Sequence, residues 1–268
     1  MTESFLSAPM QLALGGHTLH ARQFEVARFV APPSASHERM PYGLTLPEDL
    51  QRAVAKRQAE FIAGRVAASD ALQAAGVPPQ MLAVGEHRAP RWPQGVVGSI
   101  SHNENLALAV AQRVDSGVDA LLLGVDVESR IDDRSLPAIQ STIATAQEAA
   151  ILARVSLNAA QCVTTLFSAK ESLFKALYPR VGKYLEFHDS CLLTWDEANG
   201  RLTLQLVQRA AELAGCAWVF EVHYLWDEQR VITLAQCHAS SRWRNATRHP
   251  DGKQRSEQGA RFDLFLNS

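Results

Sequence analysis

Two acidic side chains, Asp126 and Glu128, follow the short apolar run Leu121–Leu123 within the segment Gly-Val-Asp-Val-Glu-Ser. Because alternate residues of a strand share a face, the two carboxylates should lie side by side. Neighbouring acids repel and raise each other's pKa unless a cation lies between them, and hard oxygen ligands suit Mg²⁺. The pattern therefore indicates a metal site, with a solvated strand face as the alternative.

A second candidate group is the pair Glu171 and Lys175, four residues apart on a predicted helix, with Lys170 beside them. An isolated pair at this spacing is most often a weak surface salt bridge. Here the flanking residues are apolar around much of the helix, which indicates that the charged groups are partly buried. A buried carboxylate and ammonium need a partner such as a metal or a phosphate.

The third candidate is the step Ser101–His102, placed where a predicted strand ends. A hydroxyl, an imidazole and backbone N–H groups at such a position suit a phosphate. Adjacent strand residues point to opposite sides, so the two would form a poor nucleophile–base pair. Anion binding is the favoured role, and an ordinary hydrogen-bonded histidine is the alternative.

Basic residues supply a fourth group. Arg57 and Arg65 are eight residues apart on the first long helix, so they return near one face, and Arg88 lies on the following loop. Arginines on one face can clamp a polyphosphate. The alternative is a set of solvated basic residues.

The elements that position these groups follow from periodicity and turn residues. Residues 11–30 form a predicted hairpin around Gly15-Gly16, residues 31–46 a loop, and residues 47–72 a helix that begins at Pro47. The Thr145-x-x-Glu148 capping box opens another helix, and Asn158 caps a longer one ended by Pro179. The predicted strands are 96–100, 106–112, 121–127, 191–195, 202–207, 218–225 and 231–236.

This element order predicts an α+β fold with two similar lobes related by a pseudo-twofold. Each lobe is a long helix packed on a small, mainly antiparallel sheet, with the active site at the lobe junction. The expected division is an N-terminal lobe, 1–120, that binds phosphates, a C-terminal lobe, 121–240, that carries the metal and catalytic residues, and a polar tail, 241–268. The symmetry is inferred from element order alone.

Composition limits the classes of function. A formal net charge of −2 over 268 residues gives no general attraction to nucleic acid or anionic lipid. The N-terminus lacks a secretion signal, and no apolar run is long enough to span a bilayer. Four widely spaced cysteines indicate buried thiols in a reducing compartment rather than disulfides; they are Cys162, Cys191, Cys216 and Cys237. We therefore expect a soluble cytoplasmic protein.

Taken together, these motifs resemble the 4′-phosphopantetheinyl transferases, and most closely the enterobactin-synthase type of the two-lobed, surfactin-type class. The resemblance rests on Gly-Val-Asp-Val-Glu, on Phe-Ser-Ala-Lys-Glu-Ser-Leu-Phe-Lys about forty residues later, and on Trp-Pro-x-Gly-x-x-Gly-Ser-Ile-Ser-His upstream. The segments Lys-Arg-Gln-Ala-Glu-Phe-Ile-Ala-Gly-Arg and Lys-Tyr-Leu-Glu-Phe-His-Asp also fit that type. The motifs span roughly residues 50–195, and the polar tail lies outside the family pattern.

The resemblance implies that coenzyme A donates its phosphopantetheine arm to a serine of an apo carrier protein, leaving adenosine 3′,5′-bisphosphate. Asp126, Glu128 and Glu171 would hold Mg²⁺ against the pyrophosphate of coenzyme A. Lys175, with Lys170, would neutralise charge on the pyrophosphate as it breaks. Phosphoryl transfer needs mainly positioning and charge stabilisation, and Glu171 is the candidate base for the incoming hydroxyl.

By the same resemblance, Ser101, His102, Arg57, Arg65 and Arg88 would bind the phosphates of coenzyme A. The acceptors would be acyl or peptidyl carrier proteins of siderophore, nonribosomal peptide, fatty acid or polyketide synthesis, and the protein is expected to act as a monomer. Two other functions remain open: a Mg²⁺-dependent phosphohydrolase or nuclease, and a non-catalytic module that binds coenzyme A or a carrier.

Overall fold

The computed structural model describes residues 4–30, 41–114, 120–214 and 219–239. The strands are β1 Met10–Leu14, β2 His17–Gln23, β3 Ala83–Val84, β4 Pro90–Arg91, β5 Val96–His102, β6 Leu106–Arg113, β7 Ala120–Ser129, β8 Ser190–Asp196, β9 Arg201–Leu206, β10 Val219–Trp226 and β11 Arg230–Ala239. The α-helices are α1 Ala55–Ala74, α2 Leu136–Ile143, α3 Ala146–Leu152, α4 Ala159–Val181 and α5 Gln208–Ala214. The predicted α+β class is confirmed.

The first lobe is a four-stranded antiparallel sheet in the order β1-β2-β6-β5. Strands β1 and β2 form the predicted hairpin, and its turn residues Gly15 and Gly16 have φ angles of 56° and 79°. Such positive angles are the reason why glycine occupies both positions. Helix α1 covers one face of this sheet, where Ala63 packs near Ala107.

The second lobe is a five-stranded antiparallel sheet in the order β7-β11-β10-β9-β8. Helix α4 covers one face of this sheet, and its Leu166 and Leu173 enter a core with Leu204 and Phe220. Capping boxes open α3 at Thr145 and α4 at Asn158, as predicted.

The two lobes share a third core, because the remaining faces of the two sheets pack on each other. Leu19 and Leu108 of the first sheet contact a layer formed by Val125, Val127 and Leu234 of the second. The order of layers is therefore α1, first sheet, second sheet, α4. This is the two-lobed arrangement expected from the sequence; the pseudo-twofold relation between the lobes remains a prediction.

Two helix boundaries differ from expectation. Helix α1 begins at Ala55 rather than Pro47, and the residues between them form turns. Helix α4 continues through Pro179 and ends at Val181, where the following Gly182, with a φ of 61°, caps the helix. Proline so close to the end removes only one hydrogen bond from a long, well-packed helix. Helices α2 and α5 were not predicted.

Two predicted segments lie outside the described residues, namely the tail 241–268 and most of the loop 31–46. Within the described ranges, no helix combines the length and the apolarity that crossing a bilayer requires.

Candidate active site

A cleft of about 300 Å³ opens where α1, β5, β7 and α4 meet. Because these four elements come from both lobes, the cleft lies at the lobe junction. Every metal-ligand and phosphate-ligand candidate of the sequence lines this cleft, as does one of the two candidate lysines: Arg57, Arg65, Arg88, Ser101, His102, Asp126, Glu128, Glu171 and Lys175.

Gly124 sets the distance between β7 and α4. A Cβ atom on this residue would lie 1.9 Å from the Ser172 carbonyl oxygen and 2.5 Å from the Ala176 nitrogen. Only glycine permits this approach. Alternate residues of β7 share a face, so Asp126 points toward α4 while Val125 enters the core between the sheets.

Asp126 is held by three hydroxyl or ammonium groups from two elements, β5 and α4. Its Oδ1 accepts hydrogen bonds from Ser101 Oγ at 2.9 Å and from Lys175 Nζ at 2.5 Å, and its Oδ2 accepts one from Ser168 Oγ at 2.7 Å. The residue is only 2% exposed. Thr233 of β11 in turn contacts Ser168 Oγ at 2.9 Å. Sequence reasoning missed Ser168 and Thr233, because neither belongs to a pattern that single-sequence analysis recognises.

The carboxylates of Glu128 and Glu171 are less well compensated by hydrogen bonds and positive charge than the carboxylate of Asp126. Burial, followed by repulsion from Asp126, raises the pKa of Glu171 to about 7 and that of Glu128 to about 9. No described residue donates a hydrogen bond to the buried Oε1 of Glu171. The two half-buried acids with raised pKa, together with the unpaired Glu171 oxygen, form a negatively charged wall that a cation would stabilise.

Among the described residues, no three His, Cys, Asp or Glu side chains are arranged so that they could hold a metal ion as they stand. The chemistry of the donor set nevertheless suits a hard divalent cation, since its members are carboxylate oxygens and one of them lacks a partner. In this structure Lys175 supplies the positive charge beside Asp126.

Lys175 is the cation of the site. Its ammonium group donates to Ser101 Oγ at 2.8 Å as well as to Asp126. Burial alone would lower the pKa of Lys175, but the carboxylates of Asp126 and Glu171 outweigh it and raise that pKa. The lysine therefore stays protonated and can meet a developing negative charge.

Lys170, which the sequence placed beside Lys175 as a second catalytic lysine, does not line the cleft. Its ammonium group is buried on the other side of α4, at 2.8 Å from the Glu148 carboxylate. It also donates to the carbonyl oxygens of Ile143, Phe187 and Ser190 at 2.7–3.0 Å. This side chain thus ties α4 to its neighbours, and we correct its assignment to a structural one.

Ser101 and His102 differ in surroundings although both line the cleft. Ser101 is bonded to Asp126 and Lys175, so it links the two lobes. Burial, then the positive charge of Lys175 and Arg57, lowers the pKa of His102 to about 4. The imidazole is therefore neutral near pH 7, and no described residue forms a hydrogen bond with its buried Nδ1.

The three arginines approach the cleft in different ways. Arg57 is half-buried, and burial together with the charge of Arg88 lowers its pKa. Arg65 is buried; it donates from Nε to the Leu82 carbonyl oxygen at 3.0 Å and lies 4.7 Å from the ring centre of Phe61. Because the charge of Arg88 disfavours a second positive charge on Arg57, an anion bound between these two arginines would be stabilised.

Arg88 belongs to a strained turn. It has a φ of 64°, and the preceding His87 has a φ of 49°, both unusual for side chains with a Cβ. The His87 ring packs edge-on against Tyr178 and Tyr184 at 6.0 and 5.0 Å, which joins the turn to the far wall of the cleft. No role was predicted for His87 or Tyr178 from the sequence, although Tyr178 is three residues after Lys175 on α4, and Tyr184 was included only within a family motif.

Comparisons with known proteins match both lobes. The 4′-phosphopantetheinyl transferase N-terminal domain model matches residues 46–112, and the 4′-phosphopantetheinyl transferase superfamily model matches residues 122–235. The chain therefore belongs to the 4′-phosphopantetheinyl transferase superfamily, and the resemblance drawn from its motifs is confirmed.

Comparison with individual relatives indicates which type of 4′-phosphopantetheinyl transferase the chain resembles. The chain is 35% identical over 230 residues to enterobactin synthase component D of Escherichia coli O157:H7, covering 84% of this chain and 96% of that protein. It is 38% identical over 173 residues to the 4′-phosphopantetheinyl transferase Svp of Streptomyces mobaraensis, covering 62% and 68% of the two chains. It is 36% identical over 168 residues to the transferase PptT of Mycobacterium tuberculosis, covering 60% and 70%. These similarities support the enterobactin-synthase-component-D-like type.

Proposed function

We propose that the protein transfers the 4′-phosphopantetheine group of coenzyme A to a serine hydroxyl of an apo carrier protein. The phosphoanhydride bond of coenzyme A breaks, a phosphodiester forms on the serine, and adenosine 3′,5′-bisphosphate leaves. The supporting observation is that three acids, one lysine and three arginines from two lobes line one cleft in a chain of this transferase family. The reaction corresponds to that of a holo-[acyl-carrier-protein] synthase.

Asp126, Glu128 and Glu171 would hold Mg²⁺, for which their carboxylates and the orphaned Glu171 oxygen are suited. When bound, the metal would neutralise part of the charge on the diphosphate. Lys175, protonated because of the surrounding acids, would neutralise a further part on the leaving phosphate oxygen.

The phosphates would be bound from the α1 side of the cleft. Arg57, Arg65 and Arg88 supply positive charge, and the neutral His102 supplies a hydrogen-bonding imidazole rather than a cation. Because phosphoryl transfer depends on positioning and charge stabilisation, these groups and Lys175 form a sufficient set.

Glu171 is the proposed base for the serine hydroxyl. Burial raises its pKa to about 7, which is close to working pH and so suits a group that must accept a proton and later release it. The nucleophile itself would come from the carrier. Among the described residues that line the cleft, the two serines, Ser99 and Ser101, are both committed to hydrogen bonds within the protein.

The relatives named for enterobactin synthase make a carrier of siderophore peptide synthesis the first acceptor to test. Carriers of fatty acid and polyketide synthesis remain further candidates. We expect the protein to meet them in the cytoplasm.

The test is a mass measurement on a panel of apo carriers incubated with protein, coenzyme A and Mg²⁺. We expect each true acceptor to gain one phosphopantetheine, and Asp126→Ala to abolish the gain while the circular dichroism spectrum stays native. Asp133→Ala, an exposed carboxylate outside the cleft, is the matched control and should remain active. Equal activity of the Asp126 variant and the wild type would show that the assignment of the active site is wrong.

A reaction without carrier separates the proposed transferase from a phosphohydrolase. We expect coenzyme A to remain intact over the time in which a carrier is fully modified. Rapid release of adenosine 3′,5′-bisphosphate without any carrier would favour a water nucleophile instead.

A further inference from the structure

Ser168 of α4 carries a fully buried hydroxyl to which the proposed reaction gives no role. The other serine and threonine side chains of α4 donate to carbonyl oxygens of their own helix, as such residues often do; they are Thr164, Thr165 and Ser172. Ser168 instead donates to Asp126 Oδ2 at 2.7 Å. Its hydroxyl is therefore directed at a residue of the cleft and not at the helix backbone.

Thr233 of β11 lies against this contact. In the antiparallel pairing of β7 and β11, Thr233 is directly opposite Asp126, so their side chains share a face of the sheet. The Thr233 hydroxyl oxygen lies 2.9 Å from both the hydroxyl oxygen and the carbonyl oxygen of Ser168. Thr233 is also fully buried, so its hydroxyl has no access to solvent.

The number of protons fixes the direction of these hydrogen bonds. A carboxylate only accepts, and a serine hydroxyl has one proton to donate. Because Ser168 gives its proton to Asp126, Thr233 must be the donor toward Ser168. Donation therefore runs from Thr233 to Ser168 to Asp126, entirely within the interior.

This chain of hydroxyls leaves the two oxygens of Asp126 with different surroundings. Oδ2 accepts from Ser168 in the interior, whereas Oδ1 accepts from Lys175 and Ser101 at the cleft. If the carboxylate turned out of this plane, the Ser168 hydroxyl would be left buried without its acceptor, which is costly. The hydroxyls therefore hold the carboxylate with one oxygen toward the cleft.

We propose that Ser168 and Thr233 are positioning residues for the transfer, which hold Asp126 so that one carboxylate oxygen is presented to the divalent cation. This inference rests on the proposed function, in which Asp126 is a ligand of that cation. A ligand that is already held by hydrogen bonds does not have to be ordered when the metal binds, so its affinity for the metal is higher. Neither residue lines the cleft, so both act through Asp126.

The test measures Mn²⁺ binding by electron paramagnetic resonance with coenzyme A present and no carrier, so that no transfer occurs. Mn²⁺ replaces Mg²⁺ because it is paramagnetic and favours the same oxygen ligands. For Ser168→Ala we expect Mn²⁺ binding about 10–100-fold weaker than in the wild type, as is typical when a hydrogen-bond partner of a metal ligand is removed. Ser172→Ala removes an equally buried hydroxyl that donates to the Ala169 carbonyl oxygen, and should bind Mn²⁺ like the wild type.

Variants of Thr233 test the order of the chain. Thr233→Val keeps the shape of the side chain and removes its hydroxyl; it should weaken Mn²⁺ binding, but less than Ser168→Ala does. Because Thr233 acts through Ser168, adding Thr233→Val to Ser168→Ala should cause no further loss. Thr233→Ser keeps the hydroxyl and should retain the wild-type affinity. Thr233→Val also tests the inference if Ser168→Ala does not fold.

Carrier modification supplies a second readout. The metal concentration that gives half-maximal transfer by Ser168→Ala should rise by the same factor as the Mn²⁺ dissociation constant. Excess metal should then restore most of the transfer rate, because mass action compensates for the weaker site. A purely structural role would lower the Tm of the variant without any rescue by metal.

The outcomes separate this inference from the proposed function. A wild type that modifies a carrier, together with a Ser168→Ala variant of unchanged metal affinity, overturns the inference alone. So do an equal loss of metal affinity in Ser172→Ala and additive losses in the double variant. A wild type that modifies a carrier without any divalent cation overturns the metal assignment and this inference with it. A wild type that modifies no carrier at any metal concentration overturns the proposed function itself.

Discussion

Lys170 and Lys175 show how two similar side chains on one helix acquire different roles. Lys175 contacts Asp126 and Ser101 in the cleft, whereas Lys170 contacts Glu148 and three carbonyl oxygens in the core. Helical geometry puts residues five apart at about 140° from each other, so they cannot share a face. Lys175 therefore belongs to the candidate active site, whereas Lys170 stabilises the fold.

Lys170→Met should therefore destabilise the protein without removing its chemistry. The change leaves the Glu148 carboxylate buried without its ammonium partner, which costs about 3–5 kcal/mol of unfolding free energy. Urea unfolding measures this loss, and carrier modification per folded molecule should stay close to the wild-type value. Lys175→Met is the matched variant; it should abolish transfer under conditions in which it is still folded. The reverse pattern would contradict the assignment of the two lysines.

His102 predicts a particular dependence of stability on pH. Its pKa is lowered from 6.5 to about 4, because burial and neighbouring positive charge disfavour the imidazolium form. The unfolded chain takes up this proton near pH 6.5 and the folded chain only near pH 4. The stability contribution of the neutral ring is therefore complete above pH 6.5 and is lost as the pH falls toward 4.

Unfolding free energies at pH 7.5, 6 and 5 test this prediction. His102→Asn, which does not titrate, should lose less stability between pH 7.5 and 5 than the wild type. Parallel curves for the two proteins would show that the histidine is not buried in its neutral form.

At the scale of elements, the contact between β7 and α4 is what brings the acids to the lysine. Gly124 lies under Ser172 and Ala176, one turn or less from Glu171 and Lys175. A side chain at this position would force the helix away from the strand, and Asp126 would then lose its bonds to Lys175 and Ser168.

Gly124→Ala should accordingly cost about 3 kcal/mol or more of unfolding free energy and remove activity in whatever fraction folds. Thermal unfolding and the carrier assay measure the two effects. Gly64→Ala is the control for stability, because its Cβ would meet only a methyl group of Ile100 at 3.1 Å and alanine favours a helix. If Gly124→Ala is as stable as that control, the close approach is not required.

Element ends were predicted well where local chemistry decides them and poorly where distant contacts do. The capping boxes at Thr145 and Asn158 place the starts of α3 and α4 correctly. The start of α1 was set too early because the side chain of Gln58 donates to the carbonyl oxygens of Leu50, Gln51 and Ala53 at 3.0–3.1 Å. These bonds favour a turn before the helix, and no local sequence pattern predicts them.

At the scale of the whole molecule, the two lobes are joined by a core and by side chains of β5 and of Asn103, which follows β5. Ser99 accepts from the Val125 N–H, Ser101 donates to Asp126, and Asn103 donates to Ser129. Beneath them, Leu108 and Val125 are buried between the sheets. Either lobe alone would expose the sheet face that forms this shared core, so the two should fold as one cooperative unit.

Val125→Ala should lower the unfolding free energy by about 2 kcal/mol and shift a single calorimetric transition to lower temperature. The ratio of calorimetric to van't Hoff enthalpy should remain near unity. Leu193→Ala, an exposed side chain on β8, should leave the transition in place. Two separate transitions in either variant would show that the lobes fold independently.

Periodicity, turn residues and motif order are local properties of the chain, and they were sufficient to predict the α+β class, the hairpin around Gly15-Gly16, most helices and strands, and the family. They also indicated that Asp126 would share a face with Glu128, since alternate strand residues always do. They could not show that Lys175, rather than Lys170, meets those acids, or that Ser168 supports Asp126. Periodicity states which residues face the same way, whereas packing between distant elements decides what each face meets.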